Sequence, residues 1–242
     1  MAGKHIAMDM KTSRTSPLDA VLFDLDGTLL DTTAAILASL RHTVELFTGK
    51  PLDMNQLRPV MGLPLSDIFA ALTPHHVEEA CAAYVEHNIA VHKDLVKPYP
   101  GVNLTIDALT KCGVKRALVT SKRRKTALLG LEIAGLSDAF DAMVCWGDTV
   151  KAKPDPEPVL LALKLLGLRE SKGKVLFVGD SPWDVRAGKA AAPFVPGLKI
   201  WTAAVTYGAT AADILRKENP DYILNSITEL LPLSGCAPSP ES

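Results

Sequence analysis

Short runs of apolar residues recur along the chain, and each is followed by a stretch with helical spacing. The runs are Ala20–Asp24, Arg116–Ser121, Ala142–Trp146, Val175–Asp180 and Ile200–Tyr207, with a shorter Tyr222–Leu224 after them. None alternates apolar with polar positions, so each reads as a strand buried on both faces. Such strands, separated by helices, predict a parallel sheet covered on both sides, an α/β fold with a doubly wound sheet. Ligands in these sheets bind beyond the carboxyl ends of the strands. The polar residues of the runs stand at those ends: Asp24, Thr120, Ser121 and Asp180.

Between the first and second runs the pattern changes. Thr33–Phe47, Pro64–Leu72 and Pro74–Leu95 read as helices, the last with apolar residues at 77, 80, 81, 84 and 85. Thr73 is placed to cap that helix, with Pro74 at its first position. Residues 33–97 therefore read as an inserted helical subdomain with hinges near Asp31 and Pro98. The remaining core is expected over 18–32 and 98–232, with tails at 1–17 and 233–242.

Composition narrows the function without naming it. The chain has 242 residues, 48% apolar and 22% charged, with a net charge of -1. That balance gives no global field for nucleic acid or an anionic membrane. Every apolar run is cut by charge, Gly or Pro before about 18 residues, so no membrane span is expected. The four cysteines, Cys81, Cys112, Cys145 and Cys236, form no C-x-x-C pair and are expected as free thiols in a reducing cytoplasm.

The chemistry concentrates in FDLDGTLLDT, residues 23–32. A strand buried on both faces excludes carboxylates unless something compensates them. Asp24 at the strand end can be a nucleophile, and attack by a carboxylate on phosphorus gives an aspartyl-phosphate. Asp26 can serve as acid and base if the turn brings it to the same site, and Gly27 permits a tight turn. Asp180 and Asp184, in GDSPWD, add two more carboxylates. Such oxygen ligands suit Mg²⁺. Thr120 and Ser121 can cradle a phosphate with hydroxyls and backbone N–H groups. Lys153, at the head of KPDPEP, can bridge nucleophile and phosphate. Taken singly, DLDGT reads equally as a capped turn, GDSPWD as a helix start and Lys153 as a solvated lysine; their joint order carries the weight.

In that order and spacing, DLDGT, the strand ending at Thr120, KPDPEP and GDSPWD resemble the haloacid dehalogenase (HAD) superfamily. GTLLDT, KPDPEP and GDSPWDVRAG bring the chain nearest to its phosphoglycolate phosphatase-like branch. The resemblance covers residues 18 to 232 and implies a Rossmann-like core with an all-helical cap. It implies Asp24 as nucleophile and Mg²⁺ ligand, and Asp26 as acid and base with its backbone carbonyl on the metal. It implies phosphate binding by Thr120 and Lys153, a metal ligand in Asp180, and a supporting role for Asp184, through water or behind the ligands. Family dehalogenases lack the second Asp, so Asp26 disfavours that activity.

The implied substrate is a small phosphorylated metabolite, with a phosphoglycolate-like monoester named first. Pyrophosphate hydrolysis, phosphomutase activity and a non-catalytic binding protein are the alternatives, and the expected assembly is a monomer or homodimer. Substrate choice is expected around Met61-Gly62-Leu63-Pro64 and the cap helices. Lys122-Arg123-Arg124-Lys125 reads as cations at a helix start, either drawing anions to the site mouth or simply solvated. His75, His76, His87 and His92 have no metal-ligand spacing and are expected at the surface, or one of them against substrate. The Pro-rich segment 190–201 is longer than the family pattern and puts the geometry after GDSPWD in question.

Overall fold

The computed structural model describes residues 18–57 and 63–236. The chain opens with β1 (Ala20–Phe23) and β2 (Leu30–Asp31), then α1 (Thr33–Thr48), α2 (Met54–Leu57), α3 (Leu65–Leu72) and α4 (Val77–Leu95). It continues through β3 (Lys97–Pro98), α5 (Val102–Lys111), β4 (Lys115–Arg123), α6 (Arg124–Ile133), β5 (Ala142–Trp146) and α7 (Glu157–Leu165). Next come β6 (Gly173–Gly179), α8 (Pro182–Ala191), β7 (Leu198–Val205), α9 (Ala212–Lys217), β8 (Tyr222–Leu224) and α10 (Leu230–Ser234).

Six strands form one parallel sheet in the order β5-β4-β1-β6-β7-β8. Successive residues of β1 feed opposite layers. Val21 and Phe23 pack with Leu118, Leu176 and Val178 and with residues of α5, α6 and α10. Ala20 and Leu22 pack with Ala117, Val119, Val175 and Phe177 and with residues of α7 and α8. Both faces are buried, which is why these strands carry unbroken apolar runs. From β1 the chain winds outward to β4 and β5, then returns as β6 on the other side of β1. The reversal opens a crevice at the carboxyl ends of β1, β4 and β6.

The helical insertion has its own apolar cluster. Leu40, Val44, Leu57, Ile68, Phe69, Ala80 and Cys81 pack together from α1, α2, α3 and α4. The segments entering and leaving it pair as a two-stranded antiparallel ribbon, Leu30 opposite Pro98 and Asp31 opposite Lys97. Those are the positions where hinges were expected.

Several local expectations are corrected. Thr73 closes α3 rather than opening α4: its N–H and hydroxyl both donate to Phe69 O, at 2.7 and 3.2 Å. Pro74 and His75 form a turn, and α4 starts at Val77. Only the second half of the basic run begins a helix: β4 continues through Lys122 and Arg123, and α6 opens with Arg124 and Lys125. Segment 190–201 is absorbed by the end of α8, a 3-10 turn over Ala192–Phe194, and an earlier start of β7 at Leu198. Cys112 and Cys236 are not free thiols but a disulfide, with Cα atoms 6.1 Å apart. Packing of α5 with α10 brings them together, a pairing 124 residues apart that spacing does not reveal. Cys81 and Cys145 are free and buried. The packed chain also extends past 232, since α10 runs to Ser234 and Cys236 is buried. His92 is buried, not superficial, and His87 is half-buried and stacks on His42 with ring centroids 4.2 Å apart. Residues 1–17 and 237–242, with Met61 and Gly62, lie outside the described residues. No described helix is long and apolar enough to cross a membrane.

Phe69 is fully buried in the cluster of the insertion and meets Tyr84 edge-on, at 5.9 Å between ring centroids. Phe69→Ala is expected to destabilise that unit by about 3–5 kcal/mol, read as a lower urea midpoint. A loss below about 0.5 kcal/mol, the size of a surface substitution, would contradict this packing.

Candidate active site

Asp24 stands one residue past β1, and its N–H donates to Val178 O at 2.9 Å, extending the ladder toward β6. The backbone of the acidic residue is thus fixed by the sheet. A tight turn follows, with Gly27 N–H donating to Leu30 O at 2.8 Å and Leu29 N–H to Leu25 O at 2.9 Å. Gly27 has φ +81°, the left-handed region that other residues enter only at a cost. A Cβ there would also overlap the Asp180 carboxylate, as would one on Gly208. The two glycines therefore make the space that Asp180 fills. Tyr207 donates its hydroxyl to Thr28 O at 2.9 Å and pins the turn.

Lys153 ties the centre together. Its ammonium donates to Asp24 Oδ1 at 2.9 Å, to Asp184 Oδ1 at 2.6 Å and to Val119 O at 3.0 Å. All three of its protons are used, and the side chain is only 5% exposed. Asp184 is positioned by the start of α8, a capping box: Ser181 accepts from Asp184 N–H, and the Asp184 carboxylate accepts from Ser181 N–H. Asp184 Oδ2 takes Ser181 N–H at 3.1 Å and the Ser181 hydroxyl at 2.5 Å. Asp180 follows β6, and its Oδ2 accepts Ala209 N–H at 2.9 Å.

One oxygen each from Asp24, Asp180 and Asp184 can be chosen so that all lie within 4.8 Å of one another, and all three residues are buried. Burial pushes the Asp24 carboxyl up to about 7; Lys153 pulls it back down, while Asp184 and Asp26 add repulsion. Burial, then the charges of Asp24 and Asp184, raise Asp180 well above the usual carboxylate range. Burial alone would lower Lys153, but Asp184 and Asp24 hold it above the ordinary lysine value. One ammonium thus faces three buried carboxylates. This donor set fits a hard divalent cation such as Mg²⁺. Asp180 is the carboxylate best placed to give oxygens to it, since Asp184 is engaged with Ser181 and Lys153.

Asp26 reaches the same cavity, although no oxygen of its carboxylate belongs to that cluster. It is held by Lys122, whose Nζ lies 2.9 and 3.1 Å from the two Asp26 oxygens. The Lys122 side chain is 8% exposed. Sequence reasoning left it among four cations that either draw anions to the site mouth or are solvated, with no single one given a role; a continuation of β4 by two residues would have been the signal. Thr120 is buried, and its hydroxyl accepts Lys122 N–H at 3.2 Å. Thr120, Ser121 and Lys153 line the cavity together.

That cavity, of about 740 Å³, lies between the sheet ends and the helical insertion. The core contributes the acidic centre, Arg123, Trp146 and Trp183; the insertion contributes Ile36, Leu65, Ile68, Tyr84, Val85 and Asn88. All seven candidate residues from the sequence border the cavity or, in the case of Asp184, contact Lys153 behind it.

Comparison with known proteins identifies the family and the fold. The family model for haloacid dehalogenase-like hydrolases matches residues 21–195. The pyrophosphatase PpaX of Halalkalibacterium halodurans is 40% identical over 218 residues, covering 90% of this chain and 97% of that protein. A haloacid dehalogenase-like family hydrolase from Streptococcus pneumoniae superposes with a TM-score of 0.73 at 24% identity, covering 89% of this chain and 98% of that one. A predicted phosphoglycolate phosphatase from Haemophilus somnus gives a TM-score of 0.73 at 22% identity, covering 89% and 97%. Those two structural likenesses speak for the fold alone.

The excess of buried negative charge leads to a stability prediction. Asp180→Asn removes repulsion, so its melting temperature in EDTA is expected to equal or exceed that of the unsubstituted protein. Added Mg²⁺ should stabilise the parent chain, by about 2.7 kcal/mol at a hundred times its Kd, and should stabilise the variant far less. Equal Mg²⁺ shifts in both would remove Asp180 from the metal site.

Proposed function

The chain belongs to the haloacid dehalogenase-like hydrolases and is a phosphatase of that family; from that premise we propose a Mg²⁺-dependent enzyme that hydrolyses inorganic pyrophosphate through an aspartyl-phosphate. The observation that carries the reading is the meeting of Asp24, Asp26 and Lys153 in one cavity at the sheet's reversal point. The sequence led to a phosphoglycolate-like ester first and pyrophosphate second. The 40% identity to a pyrophosphatase over nearly the whole chain reverses that order. A second reading, a phosphomonoester with an organic leaving group, is favoured by the cavity's volume and by the apolar side chains of Ile36, Leu65 and Ile68. No feature of the cavity favours a phosphomutase.

The roles follow from position. Lys153 holds Asp24 Oδ1, which orients the carboxylate for attack on phosphorus by an oxygen. Thr120 and Ser121 hold the phosphoryl oxygens. Asp26 gives its proton to the leaving oxygen, and then takes one from the water that hydrolyses the intermediate. Asp24, Asp180 and the Asp26 carbonyl would hold a Mg²⁺ ion, which when bound would supply the charge that lets two anions approach. Asp184 supports the centre through Lys153. Residues 33–97 act as the cap, closing over the core that flanks them in the chain to exclude bulk water.

Phosphate release from pyrophosphate, phosphoglycolate and hexose phosphates tests this. Activity should require Mg²⁺ and vanish with chelator. Asp24→Asn should lose at least about 10³-fold in turnover, because the nucleophile is gone. Asp26→Asn should lose about 10²–10⁴-fold, the usual worth of a general acid and base. Undiminished release by pure Asp24→Asn protein would sink the mechanism.

A further inference from the structure

The cavity's charge is divided in two. Its acids, Asp24, Asp26 and Asp180, gather at the acidic centre. The other charged side chains that line it are Lys122, Arg123 and Lys153. Lys153 has no donor left, since its three protons reach Asp24, Asp184 and Val119. Lys122 gives two contacts to Asp26 and keeps one proton unassigned. The Arg123 side chain is exposed at the cavity wall and makes no hydrogen bond or ion pair among the described residues, although its charge acts on the Cys81 thiol of α4. Its five guanidinium N–H groups are therefore without a protein acceptor among the described residues.

The opposite wall belongs to α4. Tyr84 and Asn88 are four residues apart and both line the cavity, as i, i+4 neighbours on one helix face. The Tyr84 hydroxyl has no hydrogen-bond partner among the described residues, and Asp26 lies near enough to raise its pKa further after burial. Asn88 is buried, and its amide N–H donates to Ser39 Oγ at 3.2 Å, which fixes the side chain. The bottom of the cavity is anionic and suited to a cation. Beyond it the lining holds Lys122 and Arg123 from the core, Tyr84 and Asn88 from α4, and the apolar side chains of Ile36, Leu65 and Ile68.

We propose that Arg123 and Lys122, facing Tyr84 across the cavity, form a subsite for a second anionic group on the leaving side of the substrate. The ligand class is a phosphoryl compound carrying another oxyanion close by, either a second phosphoryl or a carboxylate. Arg123 supplies the fork that matches such oxyanions in two-point contact, Lys122 a point charge, and Tyr84 a neutral donor. This rests on the phosphatase reading and deepens it: the core cations, not only the cap, select the leaving group.

The test is binding in the presence of Mg²⁺, which does not depend on turnover. Calorimetry would compare methylenediphosphonate, phosphonoacetate and methylphosphonate. The first two carry the second anionic group and the third lacks it. At least one of the two should bind 10-fold or more tightly than methylphosphonate, the size of one charge-assisted contact, and their order names the preferred group. Arg123→Ala should shrink that preference at least about 5-fold, and Arg123→Lys should shrink it less. With p-nitrophenyl phosphate and pyrophosphate as substrates, Arg123→Ala should lower kcat/KM for pyrophosphate by the larger factor. Equal affinity of all three phosphonates for the parent protein overturns the subsite, as does a preference that survives in both Arg123→Ala and Lys122→Met. Lack of pyrophosphate turnover by the parent protein would instead defeat the pyrophosphate assignment and leave the phosphonate result to be read independently.

Discussion

A single buried ammonium, that of Lys153, organises the acidic centre. Its three contacts come from three parts of the fold: Asp24 just past β1, Val119 in β4, and Asp184 in the first turn of α8. These elements meet only because the sheet reverses at β1, which places β4 and β6 on its two sides. The lysine holds Oδ1 of Asp24 and leaves Oδ2 outside that contact. The orientation of the candidate nucleophile is therefore a property of the sheet topology, transmitted through one side chain. Removing the ammonium would strand Asp24 and Asp184 as buried anions without a cation, and an unpaired buried charge is among the costliest defects a fold can carry.

The same interaction explains why the centre is not charge-balanced by protein groups. Asp180 adds a third carboxylate that Lys153 does not touch, held by Ala209 N–H and given room by two glycines. A purely structural buried network would satisfy or omit that group. Burial first, and repulsion among the carboxylates after it, raise the carboxyl pKa values of Asp24 and Asp180. The arrangement is intelligible if a divalent cation belongs to the working state, since metal charge inverts the local preference for neutral carboxyls.

The strands were legible because burial on both faces leaves continuous apolar runs, and the acids were legible because they interrupt those runs at one end. Asp24, Thr120 and Asp180 needed no contact information beyond that. Lys122 was not legible, since its meaning depends on where β4 stops. Read as the start of a helix, the basic run belongs to solvent; with β4 continuing to Arg123, Lys122 is carried into the cavity against Asp26. Thr73 misled for a related reason: a Thr followed by Pro satisfies the signature of a helix start, yet its hydroxyl found the carbonyl of Phe69 behind it. The Cys112–Cys236 pair and the burial of His92 depend on helix packing at long range, and single-sequence spacing carries no record of it.

The division of labour between core and insertion follows from how each is held. The acidic centre is anchored to the parallel sheet through backbone and lysine contacts. The facing wall is held by polar contacts inside the insertion, where Ser39 Oγ donates to Ala35 O at 2.7 Å and takes the Asn88 amide at 3.2 Å. His87 Nδ1 meets the same hydroxyl at 3.2 Å. Ser39 on α1 thus fixes the position of Asn88 on the cavity-lining face of α4. Only the short β2–β3 ribbon pairs the two connecting segments, with two residues from each. Beyond that ribbon, Ala35 of α1 lies in the core cluster, and Val91 and Leu95 at the end of α4 pack against it, so the insertion rests on the core through apolar contact as well. In the proposed enzyme, selection of the leaving group and the phosphoryl chemistry meet where Lys122 holds Asp26.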